Sequence, residues 1–266
     1  MAAALQQRFR RALITGGRVG IGRTLLKWLQ SEGLEVRGTT RFPSPDSPEL
    51  LSADFSSSAG VDAFLGEHQD WLSEVDLVIL NAGSADFGFF PNQSEAGIER
   101  QLQLMLGSVI QLSRGLWPAL SRKPGGACVF INSLAGQFPI PGFPVYNAAK
   151  AGLSQFVESL LVEEGQGGPQ ILNCCLGDFR TNFNQHVTQP IDTSKEEEKA
   201  WARIEETMSA APDPKRLVRC LERRLQKGHS GSWKMGSAVQ AFWAPLAARL
   251  LPASWMRRLV RRYYHQ

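Results

Sequence analysis

The feature that most constrains this chain lies near its start. The apolar triplet Ala12-Leu13-Ile14 runs into Thr15-Gly16-Gly17-Arg18-Val19-Gly20-Ile21-Gly22, and a pattern with Leu25, Leu26 and Leu29 on one helical face comes next. A strand, a glycine-rich turn and a helix in immediate succession form a phosphate-binding arrangement. The glycines let the backbone approach a pyrophosphate, and the first N–H groups of the helix point at it with the positive end of the dipole behind them. A merely flexible turn would share the composition, but it would not need to sit between a strand and an amphipathic helix.

Further apolar strand candidates occur at residues 35–39, Leu77–Leu80, 127–132, 171–176 and 232–235. Helical patterns separate them. Val61, Phe64, Leu65 and Leu72 come after the cluster Ser56-Ser57-Ser58, any member of which can cap a helix, and Ile98, Leu102, Met105, Leu106, Val109, Leu112 and Leu116 form one long stripe. Asp213-Pro214 opens another helix, with Leu217, Val218, Leu221 and Leu225 on one face. Strands alternating with helices predict an α/β fold, a doubly wound parallel sheet with helices on both faces. At 266 residues and 43% hydrophobic, one domain over residues 1–236 with a tail at 237–266 is expected.

The net charge of +4 is concentrated in that tail, where Arg249, Arg257, Arg258, Arg261 and Arg262 stand without an acid, so it does not argue for nucleic acid. Cys128, Cys174, Cys175 and Cys220 show no metal-ligand spacing and read as reduced. Residues 1–11 hold no signal-peptide core and no run reaches eighteen apolar residues, so a cytoplasmic protein is expected.

Ser133 ends the 127–132 strand, and Tyr146 and Lys150 come after it, four residues apart, at the head of a run with Ala149, Leu153, Phe156, Val157, Leu160 and Leu161 on one face. On a helix they are neighbours about 6 Å apart along the axis. A phenol serves as an acid/base at neutral pH only if its pKa drops by roughly 3 units, and an adjacent ammonium supplies part of that. Alone the pair would read as a surface contact; Ser133 at this offset reverses that.

Taken together, the T-G-x-x-x-G-I-G turn, Asn81-Ala82-Gly83 after the Leu77–Leu80 strand, Ser133, Tyr146 and Lys150 resemble the short-chain dehydrogenase/reductase family over residues 12 to 181. The resemblance implies a Rossmann-type NAD(P)-binding domain and reversible reduction of a ketone or aldehyde. Tyr146 would act as general acid/base, Ser133 on the reacting oxygen, and Lys150 on Tyr146 and the nicotinamide ribose. It also implies cofactor contacts from Thr15, Gly16, Gly20, Ile21, Gly22, Asn81, Ala82, Gly83, Gly177 and Thr181, and from Asp54 toward the adenine, and a homodimer or homotetramer built on the long helices. No metal is expected. Where an acid would hold a ribose 2′-hydroxyl the chain reads Thr39-Thr40-Arg41, and Arg18 adds a second charge, so NADP(H) is favoured over NAD(H) unless Arg41 is only a solvated loop residue.

The chain departs from the family in two places. The helix Asn that holds a relay water falls at Met105, and a Pro falls at Leu176. Either Met105 fills the core and Ser108 or Gln101 positions the water, or turnover is impaired and the protein is a nucleotide-binding regulatory or scaffold protein. The 137–144 loop, with Phe87, Phe89 and Phe90, suggests an apolar carbonyl substrate or ordinary core. Residues 184–211, with Glu196-Glu197-Glu198, read as a mobile flap or a solvated helix face. The tail reads either as an interfacial helix making peripheral membrane contact or as a helix packed on the body or on a partner subunit.

Overall fold

Seven strands, all parallel, form one sheet in the order β3-β2-β1-β4-β5-β6-β7. They are seen in a computed structural model that describes residues 5–122, 125–163 and 168–264. The first four residues of the stretch tested for a signal peptide lie outside the described residues, as does the Arg249 side chain. In chain order the elements are β1 Arg11–Ile14, α1 Gly20–Ser31, β2 Glu35–Thr40, β3 Leu50–Ser52, α2 Ser58–Glu67, α3 Gln69–Leu72 and β4 Leu77–Leu80. Next come α4 Glu95–Leu102, α5 Ser108–Arg122, β5 Ala127–Ser133, α6 Pro144–Glu163 and β6 Gln170–Leu176. The chain ends with α7 Lys195–Ser209, α8 Lys215–Lys227, β7 Gly231–Met235, α9 Ala244–Leu250 and α10 Ala253–Tyr264.

β4 and β6 are buried at every residue, and only Ser133 of β5 is not. Strands covered on both faces carry continuous apolar runs for that reason. Successive side chains part to opposite sides. Ile14, Ile79, Val129 and Leu172 meet Leu25, Leu26 and Leu29 of α1 and Leu217, Leu221 and Leu225 of α8. Leu13, Val78, Cys128 and Ile171 meet Val61 and Phe64 of α2, Leu112 and Leu116 of α5, and Leu153 and Val157 of α6. Of the three serines, Ser57 caps α2, its hydroxyl accepting from Gly60 N. Gly228, left-handed at φ 71°, ends α8.

Two helices differ from the periodicity. The run from Val61 to Leu72 breaks at His68 into α2 and α3. The long stripe is interrupted by a π-helical turn, Gln103–Gly107. A π turn inserts one residue and puts the helix before it out of phase with the helix after it, so Leu102, ahead of the turn, is 38% exposed while Leu104 and Met105 within it are buried. Among the described residues no helix is long and apolar enough to cross a membrane, and the four cysteines are free thiols, three of them buried.

Candidate active site

A parallel sheet delivers its loops to the carboxyl ends of its strands, and the predicted site residues gather there around a cleft of about 380 Å³. The glycine turn is stitched to two neighbouring strands. The Thr15 hydroxyl accepts the main-chain N–H groups of Asn81 (2.8 Å) and Ala82 (2.9 Å), and Asn81 Nδ2 donates to the carbonyls of Thr15 (3.0 Å) and Gly16 (3.2 Å). Gly16 N donates to Thr39 Oγ1 of β2 at 3.1 Å. Gly16 (φ 70°) and Gly20 (φ 58°) adopt backbone conformations that side chains resist, and a Cβ at Gly22 would lie 2.0 Å from the Gly16 oxygen. Gly16, Arg18, Gly20, Ile21, Asn81, Ala82 and Gly83 line the cleft, with Thr15 and Gly22 behind them as supports.

α1 begins at the turn, and its N-cap Val19 offers no side-chain acceptor. Nothing in the N-cap side chain therefore competes with a phosphate for the first N–H groups, which suits a dinucleotide. Arg18 and Arg41 both line the cleft and flank the exposed Phe42, each guanidinium carbon 5.5 Å from the ring centroid. Asp54 differs from expectation. Its carboxylate accepts from Ser56 N at 2.9 Å in a local turn, and Ala53 and Phe55 line the cleft in its place.

At the centre, Ser133 closes β5 and Tyr146 lies on the first turn of α6, hydrogen-bonded to Ser133. The Ser133 oxygen also accepts from Ala135 N at 3.1 Å. Lys150, one turn on and 5% exposed, donates from Nζ to the Ile131 carbonyl at 3.1 Å and stands 5.8 Å from the Tyr146 ring centroid. Burial pushes the lysine pKa down to about 8. The tyrosine does not behave as the spacing predicts: burial raises its pKa, the Ser133 hydrogen bond pulls it down, and the charge of Asp178 raises it again. Lys150, whose Nζ donates to the Ile131 carbonyl, is not among the groups that shift it.

Gly177 and Thr181 line the cleft, and Thr181 faces Gly20 at 3.8 Å, measured from a Cβ built there. Met105 is fully buried in the apolar cluster, as the core-filling reading requires. The water-positioning role offered to its neighbours does not hold. The Ser108 hydroxyl donates to the Leu104 carbonyl (2.7 Å), and Gln101 is spent on Asp86 N (3.0 Å) and the Gly97 carbonyl (3.2 Å). Neither lines the cleft; Leu104 does.

The substrate side is built differently from the expectation too. Phe87 is buried against Phe143 and Trp201, Phe90 is 64% exposed, and neither they nor Phe89 line the cleft. Ile140 and Phe143 of the 137–144 loop do, joined by Phe183, Ile204, Met208 and Tyr264. Residues 184–211 thus supply a lid helix, α7, and α10 brings Tyr264 from the far end of the chain. Glu197 holds the lid. It is 0% exposed, and although burial works to raise its pKa, hydrogen bonds from Phe89 N, Ser194 N, the Ser194 hydroxyl and Asn92 take it to about 2. No local pattern marks Tyr264, because what brings it here is the return of α10 onto α7.

Residues 10–192 match the family model described as short chain dehydrogenase. Among curated proteins, the chain is 25% identical over 264 residues to a 3-ketodihydrosphingosine reductase of Bacteroides thetaiotaomicron, covering 95% of this chain and 97% of that one. It is 28% identical over 203 residues to an acetoacetyl-CoA reductase of Synechocystis sp., covering 71% and 85%. Among solved structures, a short-chain dehydrogenase from Streptomyces avermitilis superposes with a TM-score of 0.79 at 23% identity, over 95% of this chain and 97% of that one. The family match spans well over half the sequence, and the chain belongs to the short-chain dehydrogenase family, oxidoreductases acting on alcohol and carbonyl groups.

Proposed function

We propose that this protein is an NADP(H)-dependent reductase of an apolar ketone or aldehyde, with Tyr146 as the general acid/base. The observation that carries the reading is the meeting of Ser133, Tyr146 and Lys150 in one cleft with the uncapped start of α1 and the Arg18–Arg41 pair. A bound dinucleotide supplies the hydride for reduction and takes it up in the reverse direction. The Ser133 hydroxyl holds the carbonyl oxygen, and Tyr146 Oη delivers the proton that completes the alcohol. Burial keeps the phenol protonated at neutral pH, the state a proton donor needs. Lys150 sits one helical turn away to stabilise the phenolate as it forms.

Arg18 and Arg41 suit a ribose 2′-phosphate, since β2 ends in Thr39-Thr40 with no acid to reject one. The apolar wall supports a hydrophobic substrate, and so does the keto substrate named for the Bacteroides relative. The test is oxidation of NADPH by a panel of aliphatic ketones, with Tyr146→Phe expected to lower kcat by about 10³-fold. Cofactor that binds without being oxidised, with Tyr146→Phe changing nothing, would instead support a nucleotide-binding scaffold.

The tail favours peripheral contact with anionic lipid. Phe242, Trp243, Trp255 and Leu259 are each at least half exposed, and Arg257, Arg258, Arg261 and Arg262 share α10 with the last two. Sedimentation with anionic vesicles should carry down the wild type and leave Trp255→Ser/Leu259→Ser in solution; equal partitioning removes the idea. A homodimer or homotetramer on the α5 and α6 faces is read by light scattering, and a monomer at working concentration would exclude it.

A further inference from the structure

Asp178 is a carboxyl group in the cleft wall that the proposed reaction does not use. It comes two residues after Leu176, the end of β6, and Leu176 is the register partner of Ser133 across the β5–β6 pair. One strand spacing, about 4.8 Å, separates those two positions. The Ser133 hydroxyl at the end of β5 and this carboxylate, two residues past the end of β6, therefore lie side by side at the carboxyl edge of the sheet.

The segment after β7 fixes its direction. Asp178 N donates to Gln240 Oε1 at 3.2 Å, and Gln240 Nε2 donates back to Oδ2. Among the described residues Gln240 is its only hydrogen-bond donor and no Lys or Arg pairs with it. Its charge reaches both Tyr146 and Tyr264. The cleft it shares is lined by Ile140, Phe143, Phe183, Ile204 and Met208, with Asn184, His186 and Thr207 among them. Burial raises the Asp178 pKa and the Gln240 hydrogen bond pulls it back, so a cation beside the remaining oxygen is what would hold the group ionised.

Resting on the reductase reading, we propose that Asp178 is a specificity residue that binds an ammonium group on the carbon next to the substrate carbonyl. The substrate class is then an amino ketone bearing an apolar chain, with the chain lying along the apolar wall. Charge sorting across the sheet agrees with this. Arg18 and Arg41 lie at the β2 end, four strand spacings or about 19 Å from β6. Anionic cofactor groups and a cationic substrate group therefore meet opposite ends of the cleft.

The test compares two probes, a long-chain aliphatic α-amino ketone and the same ketone without the amine, with NADPH and at a pH where the amine is protonated. Wild type should favour the amino ketone in kcat/KM by about 100-fold, the size of a charge-assisted contact. Asp178→Asn, which keeps an oxygen for Gln240, should bring that ratio close to one, mainly through a higher KM for the amino ketone. A purely structural Asp178 would lower both rates together and leave the ratio intact, which overturns the proposal, as does a wild type that treats the two ketones alike. Calorimetric binding of the matching amino alcohol and plain alcohol to the NADP-loaded protein separates the two readings. Amine-selective binding that Asp178→Asn abolishes, without turnover of either ketone, sinks only the reductase reading. Equal binding of the two alcohols sinks this one.

Discussion

The Glu197 carboxylate accepts the main-chain N–H of Phe89 at 2.7 Å, joining the lid helix to the loop beyond β4 across 108 residues of chain. The same oxygen accepts from Asn92 Nδ2 at 3.1 Å, and the other oxygen takes the Ser194 N–H and hydroxyl. One side chain therefore caps α7 and anchors it. The carboxylate's lowered pKa means its contribution is complete above the ordinary value of 4.5 and is lost as pH falls toward about 2. Discounted for nearby solvent, it is worth about 2 kcal/mol. Glu197→Gln should lower Tm by roughly 5 °C at pH 7 and raise KM several-fold as the lid loosens. In thermal melts taken at falling pH, the gap to wild type should shrink below about pH 4.

Lys150 presents the opposite sign. Its folded pKa, about 8, lies below the ordinary 10.5 because the ammonium is buried. The unfolded chain then holds more protons between those values, so stability rises with pH across that window, and below pH 8 the penalty is fully present. Lys150→Met removes it. The variant should lose turnover yet melt higher than wild type at pH 7, by on the order of 3 kcal/mol, with the gain fading toward pH 10. A variant that melts lower at every pH would show that the Ile131 hydrogen bond outweighs the buried charge.

Arg18 and Arg41 share the Phe42 ring between them, so the two charges should act together on a 2′-phosphate. Arg41→Ala is expected to raise KM for NADPH about 10-fold and Arg18→Ala/Arg41→Ala about 100-fold, each lost contact being worth ~1.4–3 kcal/mol. KM for NADH should move little. Equal effects on both cofactors, measured by steady-state kinetics, would show that the arginines serve the shared pyrophosphate instead.

The glycine turn, Asn81 and the Ser133, Tyr146 and Lys150 set are legible in the sequence because each lies where a strand ends or a helix begins, positions that short-range periodicity marks. The lid and the wall are different. Tyr264 reaches the cleft only because α10 packs on α7, with Arg203 over the Tyr263 ring at 4.4 Å, a contact between segments that separately read as polar or amphipathic. Glu197 sits inside an acidic run whose pattern suits a solvated face; its burial depends on Phe89 and Asn92, about a hundred residues earlier. The π turn is hidden because an inserted residue leaves composition unchanged and only rotates the stripe.

That rotation decides the last prediction. With the extra residue at Gln103–Gly107, the side chain that faces the cleft in this helix is Leu104, whereas Met105 is 0% exposed in the core behind it. Placing an amide at Met105 would bury polar atoms inside the apolar cluster that also holds Val109, Leu112 and Leu153, a cost of about 2–4 kcal/mol. Met105→Asn should therefore lower Tm by several degrees and leave kcat no higher. Leu104→Asn puts the amide in the cleft wall, where water can meet it, and should melt within a few degrees of wild type while changing kcat. Should Met105→Asn instead raise kcat without loss of stability, the relay position would be 105 after all, and the π turn would have to relax in solution to let that side chain through.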